Sequence, residues 1–404
     1  MSKTRNYECL KQYLPQEDFD ENFALLSHYI QLQNTEAGNA YLQKLLDKIP
    51  DFDISKIPTK ENFNNQHEIT LTNENYNFTF IDLFAGIGGF RIAMQNCGGE
   101  CIFSSEWDES AKETYFANYG EVPFGDITRT STKDLIPEHF NVLCAGFPCQ
   151  PFSNAGLKKG IEDTRGTLFY EIADILRVHH PEVVLLENVR GLISNDNGKT
   201  IQTILRTIIN LGYRCNISEE LIVNGPINQL KKEASKMVLS AKDYGVPQNR
   251  PRIYIVLWRN DLNNEQFIYP EPLGIETHVS DILEDDVPEE FTISDRLWEG
   301  HQRRRINNAA QGKGFGYCMF TPESSYTSTI SRRYYKDGSE ILIEQENRNP
   351  RKLTPREATN LQGFPRNFIL HQSKVESYKQ AGNSVAVPVV SCIAESIANQ
   401  FFGE

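Results

Sequence analysis

The sequence predicts an α/β fold: a sheet of buried strands alternating with helices, a helical extension before it, and a smaller, irregular domain after it. Three observations carry this. From residue 78, short apolar runs alternate with stretches of helical periodicity, the pattern of a parallel sheet covered by helices on both faces. After Pro270 the alternation stops, and a segment dense in charged and aromatic residues follows. Before residue 76 the chain is acidic and patterned as helix. The expected organisation is a helical extension and linker at 1–75, a first domain at 76–270 completed by 376–404, and a second domain at 271–375. A chain of 404 residues has room for two or three domains.

In the extension, Phe23, Leu26 and Ile30, then Leu42, Leu45, Leu46 and Ile49, recur at helical spacing within 21–49. Residues 62–77 are rich in Asn, Gln and Thr and read as a linker. Strands are predicted at 78–84, 100–104, 141–145, 183–186 and 252–258, each an apolar run of strand length. Helices are predicted near 90–97, 109–119, 168–179 and 199–211. The third shows its inner face in Leu168, Ile172, Ile175 and Leu176. The connection 212–240 is longer, holds a polar helical segment at 228–238, and reads in part as a surface insertion. Within 351–365, Thr354 predicts an N-cap, Pro355 the first helical residue, Glu357 the partner in a capping box and Gly363 the stop. Residues 380–402 have apolar positions at helix spacing and are expected to pack back on the first domain, with Asn383 and Ser384 opening that helix.

Hydrophobic residues are 39% and charged residues 24% of the chain, a balance ordinary for a soluble globular protein. No run approaches the roughly 18 apolar residues of a membrane span, and residues 1–8 lack a signal-peptide core. The expectation is a soluble, cytoplasmic protein with no membrane partner. The formal net charge of -13 argues, taken whole, against a nucleic-acid partner. Its distribution changes the reading. Residues 1–75 hold 7 basic against 12 acidic residues, and 271–290 hold eight acidic and no basic ones, together the entire excess. Residues 296–336 hold eight basic against two acidic residues, interleaved with Phe315, Tyr317, Phe320, Tyr326, Tyr334 and Tyr335. The eight cysteines, Cys9, Cys97, Cys101, Cys144, Cys149, Cys215, Cys318 and Cys392, include no Cys-x-x-Cys pair, so no metal site is expected. Most read as buried small hydrophobes; Cys149 does not.

The chemistry sits in five motifs. In Phe80-Ile-Asp-Leu-Phe-Ala-Gly-Ile-Gly-Gly-Phe90 a strand runs into Gly86, Gly88 and Gly89 and then into a helix, which lets backbone approach a ligand closely. Glu106 closes the next strand and suits ribose hydroxyls, Trp107 can stack on an adenine, and Asp126-Ile127 can accept from an exocyclic amine. Without the full G-x-G-x-x-G, an adenosine-type ligand is favoured over a dinucleotide; a plain glycine turn beside a surface acid would read alike. In Gly146-Phe-Pro-Cys-Gln-Pro-Phe-Ser153, Cys149 lies between Pro148 and Pro151 on a restricted loop at the carboxyl edge of the sheet, where ligands bind. Glu187-Asn188-Val189 brings a carboxyl to the same edge, where partial burial keeps a proton available. In Gln248-Asn-Arg-Pro-Arg252, Arg250 and Arg252 are two apart and in extended chain share a face, able to hold a phosphate or an electron-rich base edge. The fifth is Gln380-Ala-Gly-Asn-Ser-Val-Ala-Val-Pro388.

Taken in this order, from residue 78 to about 398, these motifs resemble the cytosine-5 DNA methyltransferases of bacterial restriction-modification systems. The tract Ser331-Arg-Arg-Tyr-Tyr-Lys-Asp-Gly-Ser-Glu-Ile-Leu-Ile343 is similar to a Dcm-like subgroup. The resemblance implies a Rossmann-like S-adenosylmethionine-dependent core and a target-recognition domain at 271–375. It implies that Phe84, Gly86, Gly88 and Gly89 form the cofactor loop, with Glu106 on the ribose, Trp107 on the adenine, Asp126 on its amino group, and Ile127, Pro148, Leu168, Asn383 and Ser384 in the same pocket. Cys149 would add to carbon 6 of a flipped-out cytosine. Glu187 would bond the ring nitrogen, and Arg252, beside Arg250, would hold the base carbonyl. Gln150 and Ser153 would begin a loop closing over DNA, and Arg304, Arg332 and Arg333 would contact it. The products would be S-adenosylhomocysteine and 5-methylcytosine. The partners implied are double-stranded DNA and a cognate endonuclease acting at the same site without a stable complex, the methyltransferase being a monomer. Some relatives carry N-terminal DNA-binding helices, from which the acidic charge of 1–75 sets this extension apart. Two alternatives remain open on sequence: an RNA cytosine-5 methyltransferase, and a DNA-binding regulator with an idle methyltransferase core.

Overall fold

The computed structural model describes residues 7–14, 19–71, 76–148 and 168–403. The chain divides into two compact units, Met1–Leu239 with Pro251–Pro270 and Ser391–Glu404, and Ser240–Arg250 with Glu271–Val390.

The first unit opens with helices α1 (Phe19–Gln31), α2 (Glu36–Lys48) and α3 (Lys60–His67). Phe23, Leu25, Leu26, Ser27, His28 and Ile30 of α1 are all buried, so between Phe23 and Ile30 this helix is covered on more than one face. The Asn- and Gln-rich stretch read as linker contains most of α3. Its Thr59 side chain caps the first turn, and Phe63 is fully buried. Polar composition misled there because one buried aromatic and a cap suffice for two turns.

The central sheet follows. Its strands are β1 (Phe78–Leu83), β2 (Gly99–Ser105), β3 (Val142–Gly146), β4 (Val183–Val189), β5 (Tyr213–Arg214), β6 (Val238–Ser240) and β7 (Pro251–Arg259). The order is β2-β1-β3-β4-β7-β5, with β6 also on β7. β2, β1, β3 and β4 are parallel. β7 runs antiparallel to both β4 and β5, which departs from the all-parallel expectation. A run buried on both faces reads the same in either direction, so periodicity could not reveal this. Between the strands lie α4 (Gly89–Asn96), α5 (Glu109–Tyr119), α6 (Thr130–Lys133), α7 (Leu168–His179), α8 (Lys199–Asn210), α9 (Glu219–Val223) and α10 (Ile227–Ser235). The last two bury Ile222, Leu230 and Ala234, so the long connection carries part of the core.

The second unit holds α11 (Asp295–Ala310), α12 (Pro355–Asn360), α13 (Lys374–Asn383) and a sheet of three two-residue strands, β8 (Met319–Phe320), β9 (Leu342–Ile343) and β10 (Arg351–Lys352). Its core gathers Val279, Ile282, Phe291, Ile330, Tyr334, Ile341, Leu353 and Tyr378. The capping box forms: Thr354 and Glu357 exchange backbone bonds, and Pro355 opens α12. Fully buried Glu357 also takes both ends of the Arg351 guanidinium, at 2.7 and 2.8 Å. Asn383 and Ser384 do not open the last helix, α14 (Val387–Ile397); they close α13, whose C-cap is Ser384. The physical reason is Pro388, which has no N–H to donate and fits only a first helical turn, so the helix must restart beside it. No single helix among the described residues is long and apolar enough to cross a membrane.

Candidate active site

The glycine loop follows β1. Phe84 takes a left-handed φ of 56°, unusual for a bulky residue, and Gly86 and Gly88 follow at 56° and 83°. Gly88 caps α4. A Cβ at Gly88 would lie 2.4 Å from the buried Tyr119 ring, whose hydroxyl donates to the Gly88 carbonyl at 2.8 Å. A Cβ at Gly86 would meet nothing within 4 Å, so open space fronts the loop there.

The loop is tied to the end of β2. Gly86 N–H donates to Glu106 Oε2 at 2.8 Å, and Trp107 and Asp108 N–H both donate to Oε1 at 2.9 Å. Burial pushes the Glu106 carboxyl up, against these three bonds. Trp107 is 73% exposed, a large indole face with no core role. The segment after α5 pairs back on this edge. Phe124 N–H donates to Ser104 O, Glu106 N–H to Phe124 O, and Ser105 Oγ to Gly125 O. This places Asp126, whose Oδ1 accepts from Thr128 N–H, and buried Ile127 just beyond. An exposed indole, acceptors at adjacent strand ends and a glycine loop with space before it suit an adenosine-bearing ligand.

Beneath the loop lies a buried ion pair that sequence reading missed. Arg91 of α4 reaches Glu121 with both Nη atoms, at 2.5 and 2.8 Å, and stacks over the Tyr119 ring. Both partners are more than nine-tenths buried. It ties the glycine-loop helix to the segment leading to Asp126.

The second half of the site lies on β3, β4 and β7. Gly146 pairs with Glu187, and Glu187 faces Tyr254 across the antiparallel ladder, one diagonal step from Arg252. That register brings Glu187 Oε1 to 3.1 Å from Arg252 Nε, the two side chains being 12% and 14% exposed. Asn188, buried, donates to Phe147 O at 2.8 Å and so fixes the chain entering Pro148, which is exposed. Asn188 is a second residue whose structural part here sequence reasoning passed over, although it stands inside the Glu-Asn-Val motif. Cys149, Gln150 and Ser153 lie outside the described residues.

A model of the C-5 cytosine-specific DNA methylase family matches residues 78–399. The chain belongs to that family. Among curated proteins it is 52% identical over 328 residues to the Type II methyltransferase M.SsoII of Shigella sonnei, covering 80% of this chain and 81% of that protein. It is 51% identical to the Type II methyltransferase M.NlaX of Neisseria lactamica, covering 79% and 96%. The family and these relatives make it a DNA cytosine-5 methyltransferase of the bacterial restriction-modification kind. Among solved structures, S. pombe Dnmt2 methyltransferase superposes with a TM-score of 0.60 at 19% identity, covering 80% of this chain and 98% of that one, a likeness of fold.

In this methylase the remaining expected site residues divide. Leu168 begins α7 and is half-buried. Arg250 does not join Arg252 on a strand face. β7 starts at Pro251, so the two-residue period does not reach back to it. Instead the buried Arg250 donates to the carbonyls of Ile330, Gly382 and Ser384 inside the second unit. Gln248, fully buried, likewise bonds Leu361, Gln362 and Ile330. Arg304 is taken up as well: it donates to Gly316 O and pairs with Asp337 at 3.0 Å, because its position on α11 turns it inward beside His301. Arg332 and Arg333 are exposed. No cluster of His, Cys, Asp and Glu fit for a metal exists among the described residues.

Proposed function

We propose that the chain transfers a methyl group from S-adenosylmethionine to carbon 5 of a flipped-out cytosine in duplex DNA, through a covalent adduct with Cys149, and so protects DNA from a companion endonuclease. The observation that carries this is the Glu187–Arg252 pair, held by strand register beside Gly146, three residues before Cys149. When bound, S-adenosylmethionine supplies its methyl as an electrophilic sulfonium substituent. The residues fit it: Glu106 and Asp126 offer acceptors to the ribose and the adenine amine, Trp107 offers a stacking face, and Phe84, Gly86, Gly88 and Gly89 a close-approaching backbone. Ile127, Pro148 and Leu168 are assigned to the same pocket.

Carbon 5 of cytosine is a weak nucleophile. The Cys149 thiolate forms an Sγ–C6 bond, and the displaced ring electrons make C5 nucleophilic towards the methyl. Glu187 bonds the ring nitrogen and Arg252 the ring carbonyl, offsetting charge that develops there. Loss of the C5 proton restores the ring double bond and expels Cys149. Residues 271–375 read the target sequence, with Arg332 and Arg333 on DNA and Gln150 and Ser153 beginning the loop that closes over it. The enzyme acts as a monomer in the cytoplasm.

The test is tritiated methyl transfer to duplex DNA and to RNA. Labelling of DNA by the wild type, lost in Cys149→Ser while DNA binding persists, is expected. Exclusive RNA labelling, or normal transfer by Cys149→Ser, would overturn the reading. Bisulfite sequencing of plasmid from expressing cells then gives the target.

A further inference from the structure

The family match begins at residue 78, yet the helices before it end on the wall of the cofactor site. Three buried side chains of the extension do this. Ser27 of α1 accepts from Val122 N–H at 2.9 Å. Tyr41 of α2 donates to the carbonyl of Ile102, in β2, at 2.7 Å. His28 stacks on Phe124, ring centres 4.4 Å apart, and its Nε2 stands 3.4 Å from Glu121 Oε2. All three are essentially inaccessible to solvent. Their targets lie on two short segments: β2, which leads to Glu106, and 121–126, which leads to Asp126. Those segments are joined to each other through Ser104, Ser105 and Phe124, and to the glycine-loop helix through Glu121 and Arg91.

We propose that the N-terminal extension is a working part of the cofactor site, in which Ser27, His28 and Tyr41 are positioning residues for the wall that carries Glu106 and Asp126. This rests on the S-adenosylmethionine reading above. Each buried hydrogen bond from the extension narrows the wall to the arrangement that binds. Losing one lowers the fraction of molecules that are binding-competent, and the apparent affinity falls by the same factor. One lost bond corresponds to about three- to tenfold.

The experiment is calorimetric titration of full-length protein with S-adenosylmethionine, alongside steady-state kinetics. Ser27→Ala and Tyr41→Phe each remove one bond and little volume. Both are expected to weaken cofactor binding about three- to tenfold and raise its KM equally, leaving kcat at saturating cofactor and the KM for DNA unchanged. Thr35→Ala is the control. It removes the cap of α2, whose bonds go only to Leu32 and Gly38, and destabilises the same extension without touching the wall. It should bind cofactor as the wild type does. Wild-type affinity in Ser27→Ala and Tyr41→Phe, or equal weakening in Thr35→Ala, overturns the proposal. A wild-type chain that binds no S-adenosylmethionine overturns instead the cofactor reading, and this inference with it.

Discussion

Gly86 and Gly88 have the same backbone handedness, but substitution should fail at the two positions for different reasons. An alanine at either must hold a left-handed φ, which costs about 1 kcal/mol. At Gly86 that is the whole structural cost, because a Cβ meets nothing within 4 Å. At Gly88 the Cβ falls 2.4 Å from Tyr119 Cε2 and 2.7 Å from its Cζ and hydroxyl. That ring cannot swing aside. It is fully buried, bonded to the Gly88 carbonyl, covered by Arg91 at 4.8 Å and packed on Tyr115 at 4.7 Å. Overpacking of this kind adds about 1–3 kcal/mol. Gly88→Ala should therefore lose about 2–4 kcal/mol, and Gly86→Ala about 1 kcal/mol, in urea unfolding of the ligand-free protein. Adding Tyr119→Leu to Gly88→Ala should recover part of the loss, a coupling that a double-mutant cycle measures. Gly86→Ala should nonetheless bind S-adenosylmethionine poorly, since its methyl enters the space before the loop. Equal unfolding midpoints for the two alanine variants would refute the packing argument.

Two further predictions concern buried carboxyls. Asp82, fully buried in β1, is pushed from 3.8 up to about 8 by burial, against the pull of Arg91. Its folded pKa lies above the unfolded one, so the stability it contributes is full below 3.8 and is lost as pH rises towards about 8. Asp82→Asn cannot titrate, so its melting temperature should gain on the wild type between about pH 5 and pH 8; a gap that stays flat across that range shows that Asp82 takes up no proton on folding and so is not held neutral in the folded protein. In the second unit, Glu357→Ala should cost about 3–5 kcal/mol, because it strands the Arg351 guanidinium inside the protein. Chemical unfolding checks this, and a loss under about 1 kcal/mol, the value of an exposed pair, would show that the pair contributes like a surface one.

What the sequence makes legible follows from how local the encoding is. The boundaries of α5 and α7 can be read because a cap, an apolar stripe or a glycine stop lies within the element itself: Asp108 and Gly120 bracket α5. The glycine loop and the adjacent Glu106 are legible for the same reason. Strand direction is not, since β7 looks like any doubly buried strand until its partner is known. The Glu187–Arg252 contact depends on that direction: antiparallel register sets the two on one diagonal, 65 positions apart in sequence. The Arg91–Glu121 pair and the docking of Ser27, His28 and Tyr41 are invisible for a related reason. A buried charge and a surface charge are the same letter, and burial is decided by residues far away in the chain.

Gln248, Arg250 and Arg252 carry this furthest. Arg250 and Arg252, spaced by two, read as sharing one face of extended chain. Gln248 and Arg250 are spent on backbone carbonyls and amides of the second unit, while only Arg252 enters β7 and reaches the carboxylate of Glu187. The same distinction governs net charge. The acidic tract 271–290, which contributes most to the excess of -13, is used largely within its own unit. Asp281 accepts from His278 N–H, Glu284 accepts from Thr354 Oγ1, Glu289 pairs with Arg348 and Glu290 with Lys374. Of the basic residues in 296–336, Arg304 is spent in the same way, whereas Arg303, Arg305, Arg332 and Arg333 are exposed. An exposed acid paired with a neighbouring base has part of its local field offset, and exposed guanidiniums without such a partner keep theirs. A negative total is thus compatible with a DNA substrate because it is unevenly spread: acids of 271–290, though exposed, are partly offset by paired bases, while Arg303, Arg305, Arg332 and Arg333 present their charge to solvent on a different stretch.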